Sequence, residues 1–167
     1  SGAAIRESQY IIGATTIATN RAMVLERHAP GQALVVDLHV SQGDAALLLG
    51  VEPRFSIVDA LENTHRLDEA YFRSLVVSAP KRPALLASSD RHIVGSPAAD
   101  RVRAVVDYAR RLYKFVVLDI PRSDLNTMDG LDTARKILVV VNQELSSIRN
   151  AARLVEALTQ RYGKDRV

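Results

Sequence analysis

The chain contains no cysteine, which excludes disulfides, thiolate catalysis and Cys-ligated zinc and is compatible with a reducing compartment. No apolar run approaches the roughly 20 residues needed to cross a bilayer, and residues 1–30 lack the basic, apolar, small-residue order of a secretory signal. There is no G-x-S-x-G, no H-E-x-x-H and no G-x-G-x-x-G after a strand, so the usual hydrolase, metalloprotease and dinucleotide-dehydrogenase signatures are missing. Lysine is scarce: Lys81, Lys114, Lys136 and Lys164 are the four in the chain, none of them near its first helical segment.

What is present is 167 residues with 47% apolar content, enough for one sizeable core and hence one domain. A net charge of +3 makes the chain mildly basic. Its cations are interleaved with acids, as in Arg101, Arg103, Asp107, Arg110 and Arg111. Such a pattern suits a solvated helix face or a patch that meets nucleic acid or acidic lipid.

Four short runs, Ala33–Leu38, Ala84–Ala87, Phe115–Leu118 and Ile137–Val141, are continuously apolar and do not alternate. That pattern predicts strands covered on both faces, as in a parallel sheet between helix layers. Gln9–Ile12 is apolar enough to be a further strand but runs straight into Gly13, while residues 1–8 make a poor one. Between the strands, Ala98–Tyr113 places Val102, Val105, Val106, Ala109 and Leu112 on one helical stripe, and Leu145–Leu158 does the same with Ile148, Ala152, Val155 and Leu158. Ser56 followed by Asp59 predicts a capping box opening a helix over Ile57–Glu62. Alternating strands and helices predict a doubly wound α/β sheet with right-handed crossovers. A new strand could begin after a turn at Gly163, and the ends read as those of a fragment of a longer protein.

Gly13, Ala14, Thr15 and Thr16 precede the helical run Ile17–Arg27, the layout of a tight turn feeding a helix N-terminus. Backbone N–H groups and the helix dipole favour an anion there, with two hydroxyls to hold phosphate or magnesium; an ordinary N-cap is the alternative. Asp37 ends ALVVD and Asp119 ends FVVLD. Acids at the carboxyl ends of two parallel strands converge on the rim where ligands bind, unless each merely caps its own turn. Tyr108 and Tyr113 fit helix packing, and His28, His65 and His92 lack metal-ligand spacing.

In order and spacing, GATTIATN, ALVVDLHVSQGDAALLLGVEP, SIVDALEN, RLYKFVVLDIPR and ILVVVNQELSSIRNAARLVEAL resemble the MinD/ParA deviant-Walker P-loop ATPases over about residues 9–162. QGDAALLLG and LDIPR resemble the CpaE/TadZ proteins of Flp-type pilus assembly in particular. The resemblance implies that Gly13, Ala14, Thr15 and Thr16 end a phosphate-binding loop, with Thr15 a magnesium ligand and Thr16 a phosphate contact. It further implies that Asp37 lies near the magnesium shell, that Asp119 is the Walker B acid, and that residues 142–147 follow a strand whose loop approaches the base. Against a loop of the form KGGxGKT or KGGxGAT, Gln9, Tyr10, Ile11 and Ile12 stand where lysine, two glycines and a small residue belong, and Ala14 takes the place of the second lysine of the first form. His39 stands where relatives commonly carry a water-positioning acid; it reads as a structural or exposed histidine, a phosphate contact or a proton acceptor.

The implied function is a CpaE/TadZ-like localisation and assembly factor for pili, with a degenerate Walker A, weak binding of ATP and Mg, and little or no hydrolysis. Asp37 and His39 are then the catalytic candidates, and Thr15, Asp37 and Asp119 the magnesium ligands; a pseudo-ATPase would use no cofactor. The expected partners are pilus or secretion assembly proteins and a second copy of the chain. The expected location is the cytoplasm, with recruitment to the inner membrane face or the cell pole. The alternatives are an active ATP-dependent dimerisation switch and a ParA-like partitioner binding DNA non-specifically through Arg149, Arg153 and Arg161, DNA being the less expected partner.

Overall fold

The structure is a computed structural model that describes residues 7–12, 15–40, 43–90, 97–121 and 132–167. Its strands are β1 (Glu7–Ile12), β2 (Ala33–Asp37), β3 (Ala84–Leu86), β4 (Phe115–Ile120) and β5 (Lys136–Val139). They form one sheet in the order β3-β2-β4-β1-β5, and every neighbouring pair is parallel. The helices are α1 (Thr15–His28), α2 (Ala45–Leu49), α3 (Ile57–Glu62), α4 (Glu69–Leu75), α5 (Ala99–Leu112) and α6 (Leu145–Tyr162). The expected α/β class and parallel sheet are therefore present, in the form of a three-layer fold.

Successive strand residues face opposite sides of a sheet, and that alternation assigns the two cores. Leu34, Val36 and Leu38 of β2 and its exit, with Val116, Leu118 and Ile120 of β4, pack under α3, α4, α5 and α6. Ala33, Val35 and Val117 face the other way, under α1 and α2. By the same alternation, Asp37 and Asp119 belong to the α1 side, at the carboxyl ends of β2 and β4.

Small side chains set the close approach of α1, which buries Ala18, Thr19, Ala22 and Leu25 against the sheet. Glu26 is buried too, its carboxylate accepting from the backbone N–H groups of Gly31 and Ala33 and so fixing the turn into β2.

β1 occupies a central position between β4 and β5, in unbroken register from Glu7 opposite Phe115 to Ile12 opposite Ile120. The strand thus begins earlier than the sequence suggests and includes every residue from Gln9 to Ile12. Those positions, matched by resemblance to a lysine- and glycine-bearing loop, are sheet. A strand hydrogen-bonded on both edges is where an apolar YII run is expected.

Several boundaries differ from the sequence expectation. β4 extends through Asp119 to Ile120, β3 ends at Leu86, β5 runs from Lys136 only to Val139, and α6 continues to Tyr162. The short helices α2 and α4 had no signal long enough to register a period. After α6, chain returns to the sheet where the Ile137 N–H donates to the Arg166 carbonyl at 2.6 Å. Tyr108 packs its ring 5.5 Å from Phe72, and Tyr113 is buried, both as expected for packing residues.

The anticipated start of α3 is present: the Ser56 N–H and hydroxyl both donate to Asp59 Oδ2, at 2.7 and 2.9 Å. The Ile57 N–H donates to the Ala87 carbonyl and ties this helix to the exit of β3. Asp59→Ala is expected to lower stability by about 1 kcal/mol through loss of that cap. Thermal unfolding checks it, since for a chain of this size the loss corresponds to roughly 2–4 °C.

Candidate functional site

Parallel pairing places Asp37 directly opposite Asp119, the last paired residues of β2 and β4. The Leu38 N–H donates to the Asp119 carbonyl at 2.9 Å, carrying the ladder one step past β2 and holding the two strand ends together. Both carboxylates are fully buried. Among the described residues, none donates to Asp37 Oδ2, Asp119 Oδ1 or Asp119 Oδ2 within hydrogen-bonding geometry. Buried polar atoms are nearly always paired, so this concentration of orphaned acceptors at one strand-end rim marks a place shaped for something electropositive.

His39 supplies part of that charge. Its Nδ1 lies 2.8 Å from Asp37 Oδ1 and 3.7 Å from Asp119 Oδ2, and its backbone N–H also donates to Asp37 Oδ1 at 3.0 Å. Both neighbours of Nδ1 are carboxylate oxygens, so the proton sits on Nδ1. The hydrogen bond to Asp37 raises the imidazole pKa above its ordinary value; burial opposes this, and the charges of Asp37, Asp119 and Asp44 add to it. Burial pushes the Asp119 carboxyl up, with the Thr15 side chain and His39 offsetting part of the rise and Asp37 adding to it.

Thr15, the first residue of α1, is half-buried and lies on this side of the rim. Thr16 is exposed on the same turn, its carbonyl accepting from Asn20 and Thr19. The structure thus gathers Thr15, Asp37, His39 and Asp119; Gly13 and Ala14 lie outside the described residues. Residues 142–147 follow β5, with Asn142 exposed and Ser147 buried at the start of α6. His28 and His65 are exposed and far apart in the chain, and His92 lies outside the described residues.

Two residues of the site escaped the sequence reading. Gly43 lies over Asp37 so closely that a Cβ added there would stand 2.2 Å from Asp37 Oδ2 and 2.7 Å from Ser88 Oγ. Its N–H donates to Ser88 Oγ at 3.0 Å, joining the exits of β2 and β3. The QGD triplet contained the signal for Gly43, since only glycine allows backbone this close to a carboxylate. Nothing in the sequence around Ser88 distinguishes it from an ordinary strand-exit serine.

The placement of lysine is equally informative. Lys81 and Lys114 precede β3 and β4, Lys136 opens β5, and Lys164 lies where chain returns beside the start of β5. All four therefore sit at the amino ends of the parallel strands, away from the acids. At about 3.3 Å per residue, the six residues of β4 separate the two ends of the sheet by roughly 20 Å. No lysine side chain spans that distance.

No protein-family model matches the chain. Its fold is shared by a ParA family ATPase from Chlorobium tepidum, with a TM-score of 0.81 at 23% identity over 98% of this chain and 71% of that one. The MinC:MinD cell division complex of Aquifex aeolicus matches with a TM-score of 0.73 at 23% identity, over 96% of this chain and 66% of that one. The architecture is accordingly that of the ParA and MinD P-loop ATPases. In sequence, the chain is 28% identical over 151 residues to a MinD-type septum site-determining protein of Chlorella vulgaris, covering 88% of this chain and 52% of that protein. The solved structures share the fold, and the sequence relative just described is named for septum-site determination rather than for pilus assembly. The chain spans about half the length of the curated relatives it matches.

Proposed function

We propose that this chain is a MinD/ParA-type positioning protein that acts through protein partners, with a reduced nucleotide site that binds ATP and Mg weakly and hydrolyses slowly or not at all. The observation that carries the reading is the strand-to-helix junction: β1 ends at Ile12 and α1 begins at Thr15, leaving two residues between them, and all four lysines lie at the far end of the sheet. A phosphate loop needs glycines that let backbone N–H groups wrap the phosphates and a lysine that meets the β- and γ-phosphates. Two residues cannot supply that wrap. Thr15, Asp37 and Asp119 would hold magnesium: the unpartnered carboxylate oxygens fit a hard divalent cation, which would neutralise phosphate charge when bound. His39 in place of an acid supports slow turnover, because an imidazole already hydrogen-bonded to Asp37 is poorly placed to orient water.

The finer assignment follows the QGDAALLLG and LDIPR segments: a CpaE/TadZ-like localisation factor for pilus assembly, working as a homodimer at the membrane face or cell pole. No helix among the described residues is long and apolar enough to cross a membrane, so recruitment there would run through partners or surface contacts. DNA partitioning is the weaker alternative; Arg161 on α6 already lies 3.6 Å from Asp132, while Arg149 and Arg153 are exposed.

Loss of one charge-assisted phosphate contact weakens binding by about 1.5–3 kcal/mol, or roughly one to two decades. Calorimetry with ATP and magnesium is therefore expected to give a dissociation constant of high-micromolar order or poorer, and phosphate release is expected to stay near background. Low-micromolar binding with magnesium-dependent turnover abolished by Asp37→Ala would replace this reading with the active switch. A fluorescent fusion that gathers at division septa and ignores pilus sites would overturn the pilus assignment alone.

A further inference from the structure

The cluster at the strand ends carries a ligand set that magnesium does not prefer. Asp37, His39 and Asp119 each offer an atom to a common point, and those atoms lie within 4.8 Å of one another. For metal–ligand bonds of about 2.1 Å, neighbouring donors in a tetrahedral shell stand roughly 3.4 Å apart. The separations of His39 Nδ1 from Asp37 Oδ1 and Asp119 Oδ2, 2.8 and 3.7 Å, bracket that spacing.

Each donor is also prepared for the role. Asp37 Oδ1 accepts the His39 N–H with one lone pair and keeps another for a cation. Asp119 has two buried oxygens without a hydrogen-bond partner among the described residues, and the Gly43 backbone covers Asp37 Oδ2. The Nδ1 proton now lies between the two carboxylates, at the place a metal would take on displacing it. The His39 side chain is 26% exposed, which leaves an open position toward solvent for entry and for a water ligand.

We propose that, in the nucleotide-free chain, Asp37, His39 and Asp119 form a site for a borderline-soft divalent metal of the zinc or cobalt kind, which the imidazole ligand favours over magnesium. Magnesium takes an oxygen octahedron and retains its waters, whereas imidazole suits zinc and its first-row neighbours. Two carboxylates and one imidazole with an open fourth position form a mixed oxygen and nitrogen site of that kind. The site uses the same Asp37 and Asp119 carboxylates as the weak nucleotide site proposed above and takes His39 in place of Thr15 when no phosphate is bound.

The experiment is a titration of the nucleotide-free, chelator-stripped protein with Co²⁺, followed by visible absorption, and then displacement of Co²⁺ by Zn²⁺ or Mg²⁺. One Co²⁺ per chain is expected, with a low-symmetry d–d band that micromolar Zn²⁺ erases and millimolar Mg²⁺ leaves in place. His39→Ala and Asp119→Asn are each expected to weaken Co²⁺ binding at least tenfold. His39→Asp, which makes the set all-oxygen, is expected to raise Mg²⁺ affinity relative to Zn²⁺, and it serves as the measurement should the other variants fold poorly. Absence of the band, its survival in folded His39→Ala, or equal displacement by Mg²⁺ would overturn the proposal. Those results leave the nucleotide reading standing, and tight ATP binding in the separate calorimetry would overturn that reading without touching this one.

Discussion

Phe72→Ala is expected to remove about 3–5 kcal/mol of stability, a large part of the 5–15 kcal/mol that holds a domain folded. Phe72 is completely buried in α4 and belongs to the core under α3 to α6, where its ring meets Tyr108 of α5. Truncation opens a cavity between α4, α5 and the sheet, and packing this close lets little of it collapse. The same core holds Leu38 and Ile120, the immediate neighbours of Asp37 and Asp119, so it also fixes the strand ends that aim the acids. Urea unfolding should show a lower midpoint with an unchanged slope, and thermal unfolding a drop of roughly 6–20 °C. A loss below about 1 kcal/mol would mean that α4 is peripheral to the fold.

Much of the architecture was legible because burial on both faces leaves a distinct mark. ALVVD and FVVLD are continuous apolar runs that proved to be buried parallel strands, whereas the Ile137–Val141 run became a parallel strand at the sheet edge with Leu138 and Val141 exposed, so it is not covered on both faces. The long amphipathic helices α5 and α6 declared themselves by periodicity, and α3 by its Ser56–Asp59 pair. What stayed hidden was short or non-local. α2 and α4 have 5 and 7 residues, fewer than two full turns, so no stripe can repeat in them. β1 was legible in part: Gln9–Ile12 was apolar enough to be a strand, but the resemblance set the same four residues against a lysine- and glycine-bearing loop, and Glu7 and Ser8 gave no strand signal. The meeting of Asp37 with Asp119 was foreseeable from two acids at strand ends. The orientation of His39 between them, and the cover that Gly43 provides, depend on a loop whose path no local pattern specifies.

Asp119→Asn is expected to make the metal-free protein more stable while weakening its metal site, and the two effects have one origin. In the metal-free chain two buried carboxylates face each other as register partners, and three of their four oxygens lack hydrogen-bond partners among the described residues. A buried acceptor left unsatisfied costs about 1–3 kcal/mol, and a charged one more. An asparagine amide removes one charge and can donate to Asp37, so a gain of about 1–3 kcal/mol is expected, or several degrees in thermal midpoint. The pH dependence gives a second readout with a fixed sign. Asp119 and His39 both have folded-state pKa values raised above their ordinary values, so between those values the folded chain holds protons that the unfolded chain has released. Their contributions to stability are therefore fully present at acid pH and fade as pH rises, first through the carboxylate range and then through the imidazole range. Asp119→Asn deletes the first part and, by removing one of the charges that raise His39, shrinks the second. With chelator present, the variant should lose less stability than the wild type between pH 5 and pH 8. A lower midpoint in the variant, or identical pH profiles, would show that Asp119 is not the strained, cation-seeking group its geometry describes.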